Sequence, residues 1–200
     1  MGLMRHLPAE IDQIQSRGST ASKAGSLAGL HEKRKETLSQ FFTPDWLVRF
    51  IWQAISPAFD RDDGRYRLLD NSIGNAGMFR YADPKRFHLC GLDVDGQLVE
   101  MVSEILDGNG YMFDLVHAGM ESVELVKYSA ALINPPFSIP LSSPFLNACP
   151  GVTHYGKYGP DTSALSHEYA LAQALNHSDI VAAVVPAAIQ AIVKQSPVMA

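Results

Sequence analysis

From Thr43 onward the chain alternates two hydrophobic rhythms, and this alternation restricts the fold more than any other feature of the sequence. Leu47, Phe50, Ile51, Ala54 and Ile55 recur at helical spacing. Thr43 suits the N-cap, Pro44 the first helical position and Asp45 the positive end of the helix, while Pro57 stops the pattern. A charged turn at residues 60 to 64 leads into a short apolar run at residues 66 to 70, then a Gly-rich turn at residues 71 to 77. Residues 78 to 81 open a short helix that Pro84 limits. Residues 87 to 92 form a second run, and Leu98, Met101, Val102 and Ile105 mark the helix after it, closed by Gly108 and Gly110. A weaker strand lies at residues 112 to 117 and a fourth at residues 130 to 133. A Pro-, Ser- and Gly-rich loop fills residues 138 to 165. A helix at residues 167 to 175 and a strand at residues 180 to 185 follow, and Pro186 stops that strand. Strands separated by helices need crossover connections, so the expected fold is α/β, a doubly wound and mostly parallel sheet.

Two hundred residues suffice for one domain with a real core. Residues 1 to 39 are polar and read as a helical N-terminal arm broken by a Gly/Ser-rich stretch; residues 40 to 200 form the core. Hydrophobic residues make up 46% and charged residues 18%, a globular rather than a disordered composition. No apolar run approaches the roughly 20 residues that span a bilayer, and the N-terminus lacks a signal-peptide pattern, so a cytoplasmic protein without a membrane partner is expected. Cys90 and Cys149 stand in apolar or small-residue surroundings and read as buried free thiols. The net charge of -5 argues against a surface devoted to nucleic acid. The basic run Lys33-Arg34-Lys35 is flanked by Glu32 and Glu36, as on a solvated helix face.

In an open parallel sheet, ligands bind beyond the carboxyl ends of the strands. The first strand ends in Asp70 and a turn holding Ser72, Gly74 and Gly77, where glycine admits close backbone approach and positive φ. The second ends in Asp93 and Val94, with the acid about 20 residues past a Gly-rich turn, a spacing suited to ribose hydroxyls. The turn is not Gly-x-Gly-x-x-Gly, so the pair indicates a nucleoside-containing cofactor rather than a dinucleotide. The fourth strand ends in Asn134-Pro135-Pro136-Phe137. Two prolines fix the backbone and remove N–H donors, which leaves carbonyls and the Asn134 side-chain oxygen to accept from a substrate amino group. Phe137 offers a ring on which a planar base can stack.

These residues resemble, in order and over residues 40 to 137, the motifs of the γ-type N6-adenine DNA methyltransferases, including the modification subunits of type I restriction systems. Gln40-Phe41-Phe42-Thr43-Pro44 resembles that family's Gln-Tyr-Phe-Thr-Pro. Asp70-Asn71-Ser72-Ile73-Gly74-Asn75-Ala76-Gly77-Met78-Phe79 resembles its Asp-Pro-x-Cys-Gly-x-Gly-Gly-Phe, and Gly91-Leu92-Asp93-Val94-Asp95 its Gly-x-Glu-x-Asp. Asn134-Pro135-Pro136-Phe137 matches its catalytic motif. The resemblance implies a Rossmann-like fold, S-adenosylmethionine as cofactor, and methyl transfer to N6 of adenine in DNA. It implies that Phe42, Thr43 and Pro44 touch the methionine end of the cofactor. Asp70, Ser72, Gly74 and Gly77 would line the methionine and ribose region, Asp93 would hold the ribose hydroxyls, and Val94 would lie on the adenine ring. Asn134 and the Pro135 carbonyl would grip the target amino group, and Phe137 would stack on the target base.

The chain departs from the family at Asn71, where Pro is usual, and at Ile73, where Cys is common. Met120 stands where an Asp often binds the cofactor's adenine amino group, with Glu121 and Asp114 as nearby acids. His117, His154, His167 and His177 lack metal-ligand spacing and read as core or surface residues, and no metal is expected. Trp46 and Trp52 read as packing residues; Tyr155, Lys157 and Tyr158 read equally as a mobile loop or as nucleic-acid contacts. RNA or protein-glutamine methylation, and a cofactor-binding or DNA-accessory module without turnover, stay open. Sheets of this kind usually have seven strands, and the strand at residues 180 to 185 reads as the fifth. We therefore expect a core incomplete at its C-terminal end, joined by a specificity subunit or by self-association, with DNA held mainly through regions outside this chain.

Overall fold

The computed structural model describes residues 43–60, 64–142 and 163–187. The N-terminal arm, residues 40 to 42 of the first motif (Phe42 among them), the interior of the long loop with Cys149, His154, Tyr155, Lys157 and Tyr158, and residues 188 to 200 lie outside them. Helix α1 spans Asp45–Ile55, β1 Tyr66–Asp70, β2 Phe87–Asp93, α2 Gly96–Gly108, β3 Met112–His117 and β4 Tyr128–Ile133. Then come β5 Pro140–Ser142, β6 Ser163–Leu165, α3 Ser166–His177 and β7 Ser178–Ala183.

Five parallel strands form one sheet in the order β3-β2-β1-β4-β7. The chain runs outward from β1 through β2 to β3, then returns to the other side of β1 for β4 and β7. That reversal is the topological switch point, so the crevice opens between the carboxyl ends of β1 and β4. Strand parity builds two cores. Leu68, Leu89, Ala130 and Leu132 face α1 and α2, packing with Trp52, Ile55 and Leu106. Leu69, Cys90, Ala131 and Ile133 face α3, packing with Tyr169, Ala170 and Ala174. Helices on both faces explain why β4 is an almost unbroken apolar run and why Leu68 and Leu69 at the centre of β1 are both buried. β3 lies at an edge with Met112 and Val116 exposed, which accounts for its weak signal in the sequence.

Several local expectations need correction. The buried stripe of α1 is Val48, Ile51, Trp52 and Ile55, while Phe50 and Trp46 are 64% and 69% exposed. The stripe turns because the Trp52 indole N–H reaches the Met78 carbonyl at 2.8 Å and its ring meets Phe87 edge-on at 5.4 Å. Pro44 rather than Thr43 holds the N-cap position, and no side chain caps the helix. Residues 77 to 79 form a single 3-10 turn instead of a helix that begins at Met78. Strand β7 begins two residues earlier than expected, at Ser178, and ends at Ala183. The loop of residues 138 to 165 is not wholly irregular: β5 and β6 pair antiparallel at its two ends.

Candidate active site

The first turn of α1 is tied to residues 78 to 81. Asp45 accepts from the Tyr81 hydroxyl at 2.7 Å and from Arg80 at 3.0 Å, and these bonds, the Tyr81 one foremost, hold its carboxyl below the ordinary range. With Trp52 bound to the Met78 carbonyl, this clamp fixes Thr43 beside the β1 turn. The Thr43 hydroxyl, free of any capping duty, lies 3.4 Å from Met78 Sδ and 2.9 Å from Asn134 Nδ2. A thioether has no proton to give. The hydroxyl therefore donates to sulfur, and its oxygen accepts from Asn134. This relay sets the Asn134 amide with its nitrogen toward α1.

At the end of β1, Asp70 is buried and accepts from the Ser72 backbone N–H at 3.1 Å. Burial first, and then the nearby Asp93 carboxylate, push its pKa up to about 7 against the Ser72 hydrogen bonds. The following turn contains two left-handed residues, Gly74 at φ +50° and Ala76 at φ +57°. Positive φ was expected at Gly77, but it falls on Ala76. Gly77 is needed for space instead, because a Cβ there would lie 2.9 Å from Asn75 Oδ1, which accepts the Gly77 N–H at 3.0 Å. Asp93 accepts the Gly74 N–H at 2.9 Å through one oxygen and the Asp95 N–H at 2.9 Å through the other. Burial raises its pKa while these amides pull it down. The Val94 N–H acts on the same carboxylate, and a carboxylate with about four acceptor sites still has one for an outside donor. Val94 beside it is 56% exposed. Asp95 caps α2 by accepting from Gln97 N at 3.1 Å.

Leu69 of β1 pairs with Ala131 of β4, so Asp70 and Asn134 project from neighbouring strand ends across the switch point. After Asn134, Pro135 is buried and Pro136 and Phe137 are half-buried. The Pro136 carbonyl accepts from Ser166 Oγ at 2.5 Å, whereas among the described residues no donor reaches the Pro135 carbonyl. The geometry thus brings Thr43, Asp70, Ser72, Gly74, Asp93 and Asn134 to one edge of the sheet.

The departures from the family motifs have structural reasons. Asn71 donates to the Ala170 carbonyl and to Gln173 Oε1, both at 3.0 Å, and so ties the β1 turn to α3. Ile73 fills the space over Gly91, where a Cβ would lie 2.5 Å from Ile73 Cδ1. Met120 is buried in the α3-side core, and its carbonyl accepts from Gln173. Asp114 pairs with Arg67 at 3.4 Å and His88 at 3.0 Å within β3, away from the strand's carboxyl end. It therefore does not stand in for the missing acid. Glu121 folds over Gly119. His88, Cys90 and Asp114 converge closely enough to suggest a metal site, but the Arg67 guanidinium sits 3.6 Å from Cys90 Sγ and already supplies the positive charge. Cys90 is a buried thiol with its pKa pushed up by burial.

Sequence reasoning missed three contributors. His117 Nε2 lies 3.1 Å from the Val94 carbonyl, and its ring covers Gly96, so it supports the turn after Asp93. Ser166 and His167 touch the loop after Asn134. Only tertiary structure brings these residues in, and no local pattern marks them.

The sequence matches no known family profile and no curated protein. Solved structures do resemble it. The methyltransferase subunit of a type I restriction-modification system from Streptococcus thermophilus aligns at TM-score 0.56 and 19% identity, covering 73% of this chain and 34% of that one. A candidate class I S-adenosylmethionine-dependent methyltransferase from Listeria monocytogenes aligns at TM-score 0.55 and 15% identity, covering 82% of this chain and 54% of that one. A candidate RNA methyltransferase from Pyrococcus horikoshii aligns at TM-score 0.54 and 17% identity, over 79% of this chain and 69% of that one. This chain therefore spans about a third of the first protein and about half of the second. The fold is the Rossmann-like fold of S-adenosylmethionine-dependent methyltransferases. Among the described residues, no helix is long and apolar enough to cross a membrane.

Proposed function

We propose that this chain transfers a methyl group from S-adenosylmethionine to N6 of an adenine in DNA. The observation that carries this reading is the hydrogen bond from Asn134 to Thr43, which joins the first and last of the sequence motifs at the switch point. The residues suit the cofactor. Asp93, and Asp70 where it is ionised, set negative charge where a sulfonium and an ammonium would gain from it, and Val94 is an exposed apolar side chain beside the Asp93 carboxylate. Asp93 would accept the ribose hydroxyls, Val94 would lie on the adenine ring, and Asp70, Ser72, Gly74 and Gly77 would line the remainder. Phe42 and Pro44 would flank the methionine end alongside Thr43.

The cofactor supplies an electrophilic methyl group; the protein supplies position and polarity. The Asn134 side-chain oxygen and the Pro135 carbonyl would accept the two N6 protons of a flipped adenine, which turns the nitrogen lone pair toward the methyl donor. Phe137 would stack on the base, and Pro136 stiffens the backbone between them. No covalent enzyme intermediate is required.

Two variants test the assignment. Charge-assisted hydrogen bonds are typically worth about 1.5–3 kcal/mol, so Asp93→Ala should weaken cofactor binding at least roughly tenfold by calorimetry. Asn134→Ala should leave cofactor affinity within a few-fold and abolish methylation of adenine-containing DNA in the enzyme assembled with its DNA-binding parts. Normal turnover in Asn134→Ala would sink the mechanism. RNA is the second reading, because the RNA-methyltransferase neighbour aligns almost as well as the restriction-modification subunit. Supplying RNA in the same assay separates the two.

A further inference from the structure

The loop from Asn134 to Ile139 is held by two consecutive side chains at the start of α3. Ser166 Oγ donates to the Pro136 carbonyl at 2.5 Å and accepts the Ile139 N–H at 3.2 Å. The Ser166 N–H donates to the Ile139 carbonyl at 2.8 Å. One residue on, His167 Nδ1 accepts the Ser138 N–H at 3.0 Å, and the imidazole meets Phe137 edge-on with centroids 6.2 Å apart. Ser138 has φ +59°, a left-handed backbone that a non-glycine residue adopts only when its surroundings impose it. Ser166 is 1% and His167 6% exposed, so both side chains that hold the loop are themselves buried. The strand pairing Pro140↔Leu165 closes the arrangement from the far side.

We propose that Ser166 and His167 are positioning residues that set the shape of the base-gripping loop, a role that rests on the adenine-methylation reading. Ser166 occupies the Pro136 carbonyl and so leaves the Pro135 carbonyl as the acceptor for a substrate amino group. His167 fixes the backbone turn at Ser138 and the tilt of the Phe137 ring. A backbone N–H can only donate, so Nδ1 must be unprotonated in this state and the ring proton sits on Nε2. Protonation would place a second donor against Ser138 and release the turn. Burial lowers the His167 pKa, and the neighbouring Glu168 partly opposes that shift. Residues 134 to 140 carry no titratable side chain, nor do Ser163, Ala164 and Leu165, so Glu168 is the charged neighbour among these elements.

The test uses the isotopically labelled chain, saturated with S-adenosylhomocysteine and titrated with adenosine, with the amide resonances of residues 137 to 139 followed from about pH 5 to 8. The Ser138 amide should titrate together with the His167 imidazole, and adenosine binding should weaken in acid. His167→Ala should bind adenosine about tenfold more weakly while keeping its S-adenosylhomocysteine affinity. His167→Asn offers a non-titrating acceptor near the place of Nδ1, so it should recover most of the affinity and lose the pH dependence. A Ser138 amide indifferent to His167, or wild-type adenosine affinity in His167→Ala, overturns the proposal. The wild-type titration decides even if His167→Ala does not fold. Failure of the wild type to bind adenosine at any pH instead removes the methylation reading and the role assigned to the loop, while the Ser138 titration still tells whether His167 holds the turn.

Discussion

Asp70 shows how a site residue can work against the fold that holds it. Asp70 is 1% exposed, yet among the described residues its hydrogen-bond partners are the N–H and hydroxyl of Ser72 alone. With a pKa of about 7 in the folded chain and about 3.9 when unfolded, it binds a proton in the native state that the denatured state lacks. The contribution is fully present below the unfolded value and is lost as pH rises through about 7. A shift of some three units corresponds to on the order of 4 kcal/mol. Asp70→Asn keeps the acceptor for Ser72 without the charge. Urea unfolding should therefore find it more stable than the wild type at pH 8, with the gap closing toward pH 4; equal stabilities at pH 8 would show that Asp70 ionises there at no cost. The presence of an acid at this strand end was legible in the sequence, because strand, acid and Gly-rich turn are contiguous. Its depth was not, because α3 covers the turn through the Asn71 bonds to Ala170 and Gln173, about 100 residues away in sequence. A separation of 27 to 30 residues likewise hid Ser166 and His167, whereas Asn134-Pro135-Pro136-Phe137 could be read at once because its chemistry lies in four adjacent residues.

At the scale of elements, β1 was read to the residue from its contiguous strand, acid and turn, whereas β4 begins at Tyr128, two residues before the reading of 130 to 133, because Tyr128 and Ser129 precede its continuous apolar run. The face of α1 was harder to read. Leu47, Phe50 and Ala54 keep the same period as Val48, Ile51, Trp52 and Ile55, and the tertiary contacts of Trp52 with Met78 and Phe87 select between the two stripes. The packing of β2 against the β1 turn offers a sharper test. Gly91 lies under Ile73, with Ile73 Cβ 3.1 Å and Cδ1 2.5 Å from where a Gly91 Cβ would be. Ile73 also donates its N–H to the Leu92 carbonyl at 2.9 Å, which limits how far it can withdraw. Gly91→Ala should cost about 1–3 kcal/mol by overpacking. Ile73→Val alone should cost about 0.5–1.5 kcal/mol. Because Val lacks the Cδ1 that clashes, the double variant should be more stable than the sum of the single losses predicts. Denaturant unfolding of the four proteins measures the coupling, and strict additivity would show that the two residues do not meet.

At the scale of the whole molecule, the net charge of -5 and the ion pairs of the described residues suit the small cationic cofactor of the proposed function better than a polyanion. The chain carries 16 Lys and Arg against 21 Asp and Glu. The cations of the sheet and α1 are mostly engaged: Arg49 and Arg80 at Asp45, Arg67 at Asp114, Arg86 at Asp60, and Lys127 at the Asn176 carbonyl. Meanwhile the carboxyl edge of the sheet collects Asp70, Asp93 and Asp95, and the single Lys or Arg on β1, β2 and β4 is Arg67, which pairs with Asp114. Duplex DNA is bound chiefly by neutralising phosphates, and affinity falls with salt by about 0.9 logarithmic units per phosphate engaged. Among the described residues, Arg49, Arg67, Arg80 and Arg86 are paired with the chain's own acids, which leaves this part of the chain few cations for phosphates. Fluorescence anisotropy with a labelled duplex, between about 50 and 200 mM salt, should therefore give a slope no steeper than about -3 and a Kd no tighter than about 10⁻⁴ M at the higher salt. S-adenosylmethionine, which in the proposed function meets the acidic edge directly, should bind with far less dependence on salt in the same buffers. A slope of about -6 or steeper would mean that this chain itself grips the DNA backbone. The expectation that DNA is held mainly by regions outside it would then fall, while the methyl-transfer chemistry at Asn134 would stand untouched.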